Sequence, residues 1–281
     1  MSLTIRTLGR DEVHLCLNFA ATEGWDPGVY DAAPFYAADN DGFFGAELDG
    51  EIIGCISAVR YETFGFIGLF IVREDQRRNG YGAALWDYAM HHLHDLPVGL
   101  DAVAAQEPRY EEHGFKRSFA SARFRCDARE PRDRFASKLA LERLRVLDDE
   151  IEEYDLKCFG SKRSAFLQSW VAQPEVVALS ARSLDSGKIV GYGVGRECRE
   201  GTKIGPLFAS RLDVAAVLFD TISQRTRSPW ILTIPEPTLA ALSLADDRGM
   251  IREFACARMW RGTPPEIDLA NIYGVTSWEL G

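Results

Sequence analysis

The apolar run Phe64-Gly-Phe-Ile-Gly-Leu-Phe-Ile-Val72 passes through Arg73-Glu-Asp-Gln-Arg-Arg-Asn79 into Gly80-Tyr-Gly-Ala-Ala-Leu-Trp-Asp-Tyr-Ala-Met-His-His-Leu93. The first segment predicts a buried strand and the polar second segment ends it. From Gly80 onward Tyr81, Ala84, Leu85, Tyr88, Ala89 and Leu93 recur with the helical period. Between strand and helix, Arg77-Arg78-Asn79-Gly80-Tyr81-Gly82 sets two glycines at the positive end of a helix, where unpaired N–H groups point outward. That arrangement suits a diphosphate. No Gly-Lys-Ser/Thr follows, which excludes a Walker loop, and the third glycine of a dinucleotide fingerprint is replaced by Leu85.

Arg-x-x-Gly-x-Gly directly after an apolar strand, here Arg77 to Gly82, resembles the acetyl-CoA signature of the GNAT N-acetyltransferases. A second segment, Tyr110-Glu-Glu-His-Gly-Phe115, resembles that family's Tyr-x-x-x-Gly-Phe. The resemblance implies that Arg77, Arg78, Asn79, Gly80, Tyr81, Gly82 and Ala83 hold the diphosphate, and that the backbone of Phe70, Ile71 and Val72 bonds the pantetheine arm. It implies that Tyr110 is the acid that protonates the departing thiolate, a role typically worth 10²- to 10⁴-fold. The bland alternative for Tyr110 is a helix-end ring packing on the sheet while Gly114 caps the helix. Ala104 and Ala105 stand where many members carry Asn. The position of the catalytic Glu of some relatives is Phe66 here, so the base is left open among Glu62, Glu23 and Asp26. The loop residue Trp25 is a candidate for touching substrate or for capping the core.

Asp49-Gly50 between Phe43–Leu48 and Ile52–Tyr61 is a strong hairpin signal, and both strands are expected to pair antiparallel with the Phe64 strand. The full first-half order is strand, two helices, three strands, helix, strand, helix, strand, the last running from Phe115 to Phe124. From Asp127 to Lys138 the composition turns sharply charged. Beyond it the order repeats: helices at Leu139–Tyr154 and after Ser161, strands at Val176–Arg182, Ile189–Arg196 and Lys203–Phe208, a helix around Leu212–Phe219, a strand at Trp230–Ile234, a helix at Thr238–Arg248, and strands at Ile251–Trp260 and Tyr273–Leu280. The fold class expected is therefore α/β, a tandem GNAT fold with two mixed, mostly antiparallel sheets flanked by helices. The expected domains are 1–126, binding acetyl-CoA, a linker at 127–138, and 139–281. The second copy has no Arg-x-x-Gly-x-Gly and carries Ala245 when Gly249 is aligned with Gly114. It is expected not to bind CoA and instead to shape the acceptor site or stabilise the first. Phe159-Gly-Ser-Lys-Arg163, Ile204-Gly-Pro-Leu207, Arg258-Met259 and Tyr273–Gly281 resemble the second domain of two-domain bacterial GNAT proteins.

A chain of 281 residues with 46% hydrophobic residues can bury two cores. A net charge of -10 and a pI near 5.1 argue against nucleic acid and favour a cationic small molecule or peptide acceptor. Six scattered cysteines without Cys-x-x-Cys read as reduced thiols. With no signal peptide and no membrane span, a cytoplasmic protein is expected. His91, His92 and His94 lack the spacing of a helical metal pair, so no metal is expected. The absence of Gly-x-Ser-x-Gly disfavours a hydrolase. The function expected is acetyl transfer from acetyl-CoA to a primary amine by direct attack. The alternative is a non-catalytic acyl-CoA sensor or protein-interaction module.

Overall fold

A computed structural model describes residues 2–127 and 138–281. The charged segment read as a linker lies almost wholly outside the described residues. In the first half the elements are β1 (Leu3–Thr7), α1 (Val13–Thr22), α2 (Ala32–Ala38), β2 (Phe43–Leu48), β3 (Glu51–Arg60), β4 (Gly65–Val72), α3 (Tyr81–His92), β5 (Val98–Val103), α4 (Glu107–Glu112) and β6 (Lys116–Cys126). In the second they are β7 (Leu139–Arg143), α5 (Asp149–Phe159), α6 (Ser164–Val171), β8 (Val177–Ser183), β9 (Ile189–Cys198), β10 (Gly201–Ala209), α7 (Leu212–Ser223), β11 (Trp230–Pro235), α8 (Leu239–Asp247), β12 (Ile251–Arg261) and β13 (Ile272–Gly274).

Asp49 and Gly50 both take positive φ, 51° and 89°, as the hairpin signal requires. β2, β3 and β4 then pair antiparallel in sequence. Two expectations are corrected. Leu139–Arg143 is a strand paired with β8, because Leu139 and Leu141 alternate onto the second half's core with a period of two. The segment from Tyr273 to Leu280 is strand only to Gly274; after it Thr276 and Ser277 use their hydroxyls to bind Arg163 and the Leu280 N–H, which bends the chain out of the ladder.

The halves share one sheet of order β1-β2-β3-β4-β5-β12-β6-β11-β10-β9-β8-β7, with β13 on β10. The closing strand of each half sits against the other half. β12 pairs with β5 from Val98↔Arg261 to Val103↔Cys256, and β6 pairs with β11 from Cys126↔Trp230 to Ser121↔Pro235. The two exchanged strands pair with each other at the centre. One buried cluster accordingly joins Phe64 and Phe66 to Phe159, Trp170 and Trp260 across the halves, on the sheet face covered by α1, α2, α5 and α6. On the opposite face α3 packs Leu85, Trp86 and Ala89 onto the first half's strands, and α7 does the same for the second.

Candidate active site

β4 and β5 run parallel only from Gly65↔Val98 to Ile67↔Leu100 and then part. The cause is local. Ser57 opposes Gly68 and Cys55 opposes Ile71, so Leu69 and Phe70 together face Ile56, a β-bulge with Leu69 at φ 47°. The bulge turns the strand away from β5 and leaves an edge without a strand partner among the described residues. Arg73 N–H donates to the Ile53 carbonyl at 2.9 Å, so ladder alternation turns the backbone of Val72 to the open edge. There its carbonyl accepts from Arg77 Nε at 2.8 Å. Of the pantetheine residues expected from sequence, Val72 thus has its carbonyl already engaged.

The loop after β4 takes positive φ at Arg78 (66°) and Gly80 (84°). An added Cβ at Gly80 would meet nothing within 4 Å, so the glycine is needed there for its backbone conformation rather than for space. Among the described residues no side chain caps α3, and no acidic residue lies in its first turn. Its leading N–H groups, those of Tyr81, Gly82 and Ala83, therefore face outward unpaired. Arg77 also pairs with Glu23, which occupies that carboxylate, and Asn79 donates to Gln76 at 3.2 Å.

Between the parted strands lies a cavity of about 140 Å³. Its wall includes Phe70 and Tyr110 from the first half's motifs together with Trp25, Asp101, Trp278 and Glu279. Tyr110 is held by α4 against Trp86, ring centroids 5.5 Å apart, and Phe115, 6.1 Å. Burial raises its pKa above the ordinary phenol value, with Arg109 pulling partly back, so the hydroxyl keeps its proton at neutral pH. Asp101 takes two 2.8 Å bonds from Arg258 Nε and Nη2, which match its charge. Cys256, also on the wall, has its thiol pushed to about 12 by burial and by Asp101, so it is no nucleophile there.

The other residues read from sequence divide clearly. Trp25 reaches the cavity because its loop leans on the second half: Lys203 Nζ donates to the Trp25 carbonyl at 2.9 Å, and Arg199 N–H donates to Asp26 Oδ1 at 3.0 Å. That bond and burial make Asp26 a brace between halves. Glu62 is exposed on the turn before Phe64 and is not on the cavity wall. Phe66 is fully buried, its ring 4.8 Å from the Arg258 guanidinium carbon. The histidines sit at the C-terminal end of α3, where His91 stacks on His94 and His92 lies against Asp39. Among the described residues no cluster of three or more His, Cys, Asp or Glu could hold a metal ion.

Sequence reasoning missed the chain end. The tail after β13 crosses beneath β4, where an added Cβ on Gly68 would stand 2.0 Å from the Glu279 carbonyl oxygen. Glycine inside an otherwise apolar strand is the signal for such a close backbone approach. Tyr61 Oη then donates to the Leu280 carbonyl at 2.9 Å, fixing the tail to the first half.

The second half parts its strands too, since β10 and β11 pair parallel only at Thr202↔Trp230 and Lys203↔Ile231. Its opening is filled by the chain itself. β13 pairs with β10, Val275 N–H donates to Thr233 at 2.8 Å, and an added Cβ on Gly205 would lie 2.4 Å from the Val275 carbonyl oxygen.

Parted parallel strands, an uncapped helix start beside a glycine turn, and a protonated phenol in the gap define an acyltransferase of the GNAT kind. The sequence matches the profile of the acetyltransferase (GNAT) family over residues 11–115 and that of an acetyltransferase (GNAT) domain over 151–274, between them most of the chain. The chain belongs to the GNAT family, as a tandem of two such folds, and is an acyltransferase. It is 26% identical to the holothin acyltransferase of Pseudoalteromonas sp. (strain SANK 73390), covering 99% of this chain and 94% of that one. It is 25% identical to the uncharacterised N-acetyltransferase YitH of Bacillus subtilis over 85% of each chain. In fold it is similar to a candidate acetyltransferase from Pyrococcus horikoshii, with TM-score 0.84, 21% identity and coverage of 99% and 96%. A tandem GNAT protein from the clavulanic acid biosynthesis pathway superposes with TM-score 0.61 at 13% identity, covering 92% and 98%.

Proposed function

We propose that the protein transfers acetyl from acetyl-CoA to the primary amine of a cationic small molecule or peptide by direct attack, with residues 1–126 holding the donor and 139–281 completing the acceptor side. The observation that carries this reading is the cavity in the β4–β5 gap, whose wall holds both the Tyr110 phenol and the carboxylates of Asp101 and Glu279. The donor fits the residues present. The first-turn N–H groups of α3 lack any cap, the Gly80 turn keeps side chains clear of them, and the open edge of β4 offers backbone groups to an extended arm. When bound, acetyl-CoA supplies an activated thioester carbonyl. Tyr110 holds a proton for the sulfur as the thiol departs, and the aromatic wall of Trp25, Phe70 and Trp278 limits water. The protonated Cys256 supports direct attack over a relay through an acyl-cysteine. The tail filling the β10–β11 gap supports a single donor site per chain.

Gly82→Asp tests the donor site. The nearest atoms to an added Cβ at Gly82 are those of Phe70 and Val72 at 3.6 Å, ordinary contact, and a carboxylate in the first turn favours the helix dipole. The variant is expected to melt at or above the wild-type temperature yet lose CoA binding in calorimetry, because the new charge faces the diphosphate. Unchanged affinity would remove the reading. Tyr110→Phe keeps the ring against Trp86 but removes the proton. Its kcat is expected to fall at least about tenfold with CoA affinity preserved; wild-type turnover in a chemistry-limited assay would make the tyrosine structural.

A further inference from the structure

Glu279 is 7% exposed, and among the described residues its carboxylate has no hydrogen-bond or ion-pair partner, although it lines the same cavity as Tyr110. A buried carboxylate without a partner is costly and is kept only where something else meets it. The neighbours on the β4–β5 side are Asp101, already matched by Arg258, and the protonated Cys256. On the far side stand Arg123, Arg196 and Lys203, with Asp31. Arg123 is paired with Glu253 at 3.0 Å, Arg196 with Asp31 at 3.0 Å, and Lys203 is committed to the backbone of the Trp25 loop. Glu279 is thus left facing the cavity, among the rings of Trp25 and Trp278.

We propose that Glu279, carried by the second half's tail into the first half's site, binds the acceptor's ammonium group and takes its proton, and that the acceptor is a primary amine on an aromatic or apolar body. This rests on the function proposed above. An alkylammonium has a pKa near 10 and must shed a proton before its nitrogen can attack. Glu279 receives that proton and passes it to solvent. The nitrogen–carbon bond forms, the carbon–sulfur bond breaks, the nitrogen loses its second proton, and Tyr110 gives its own to the sulfur and is reprotonated. The balance is ammonium and thioester in, amide, thiol and one proton out. The arrangement also gives the closed β10–β11 gap a use: it clamps the chain at Val275, shortly before Glu279, so the carboxylate arrives on a fixed strap.

The test compares wild type with Glu279→Gln, using benzylamine, a cation at neutral pH, and aniline, which is neutral. Binding of benzylamine to the CoA-free protein is expected to weaken at least about tenfold in the variant, with CoA affinity and melting temperature preserved. For turnover, kcat/KM is expected to fall about 10²-fold for benzylamine and much less for aniline, which has no proton to give before attack. Glu279→Asp, which keeps the charge, is expected to recover most of the benzylamine binding. Equal benzylamine binding by wild type and Gln variant, or equal losses for both amines, would overturn the assignment while leaving the donor site intact. Absence of CoA binding by the wild-type protein would overturn the proposed function, and the role of Glu279 with it.

Discussion

Produced alone, residues 1–127 are expected not to fold, and coproduction with residues 138–281 is expected to restore a soluble complex that binds CoA. The exchanged strands make the reason concrete. Without β12, the whole outer edge of β5 from Val98 to Val103 loses its partner, and β6 loses both neighbours. An unpaired edge of that length, next to apolar faces built to be covered, leads to aggregation rather than to a smaller domain. The side chains point the same way. Met259 and Ala257 complete the core under α3, and Trp260 fills the space above Gly99, where an added Cβ would stand 2.8 Å from the indole. One rearrangement competes: β6 runs parallel to β5 while the slot left by β12 is antiparallel, so β6 could take that slot only by reversing its direction. Aligning Gly249 with Gly114 puts Arg123 where Arg258 meets Asp101, which favours the move. It also puts Arg125 where Trp260 packs against Phe64, ring centroids 5.3 Å apart, which sets a charge into an aromatic core. Size-exclusion chromatography with thermal melting decides. A monomeric 1–127 fragment with a cooperative transition and CoA affinity would show that β6 does take the slot and that the halves are separable.

The same exchange marks the limit of what the sequence discloses. The strand, loop and helix from Phe64 to Leu93 were legible because each has its own local cause: an apolar run, a polar break with glycines, and a 3.6-residue period. The tandem order was legible because it repeats. Which half a closing strand joins is not local. β6 and β12 have similar patterns, so either satisfies β5 by periodicity, and the choice falls to packing such as Trp260 over Gly99. Within α3 the period pointed to Tyr88 as buried, yet it is 42% exposed, and the ring that packs on Tyr110 is Trp86. The candidate bases named from sequence, Glu62, Glu23 and Asp26, all lie in the first half of the chain. Glu279 lies far along the chain and shares the cavity only because the tail crosses at Gly68. The one cue was that glycine, read as part of a strand and not as a crossing point.

Asp155→Ala is expected to destabilise the protein by about 3 to 5 kcal/mol, the range for removing one partner of a buried ion pair. Arg163 Nε and Nη2 donate to Asp155 at 2.8 and 2.7 Å, and both side chains are 1% exposed. The guanidinium carbon lies 3.7 Å from the Phe159 ring centroid, and Tyr192 Oη also donates to Asp155. Removing the carboxylate strands a charge and a phenol together in an apolar setting. A shift of denaturant midpoint at unchanged m-value measures the loss. The pair also has a second task, since Arg163 Nη2 donates to Thr276 Oγ1 at 2.9 Å, and Thr276 begins the strap that ends at Glu279. Arg163→Met with Asp155→Leu separates the two tasks: apolar residues of similar volume remove both buried charges, so stability is expected to recover most of the loss, as replaced buried pairs commonly do. The anchor on Thr276 stays absent in that double variant. Its KM for benzylamine is expected to rise above wild type while CoA affinity matches wild type. A double variant with both stability and acceptor KM restored would show that the buried pair only stabilises the fold and that the strap is held by its other contacts.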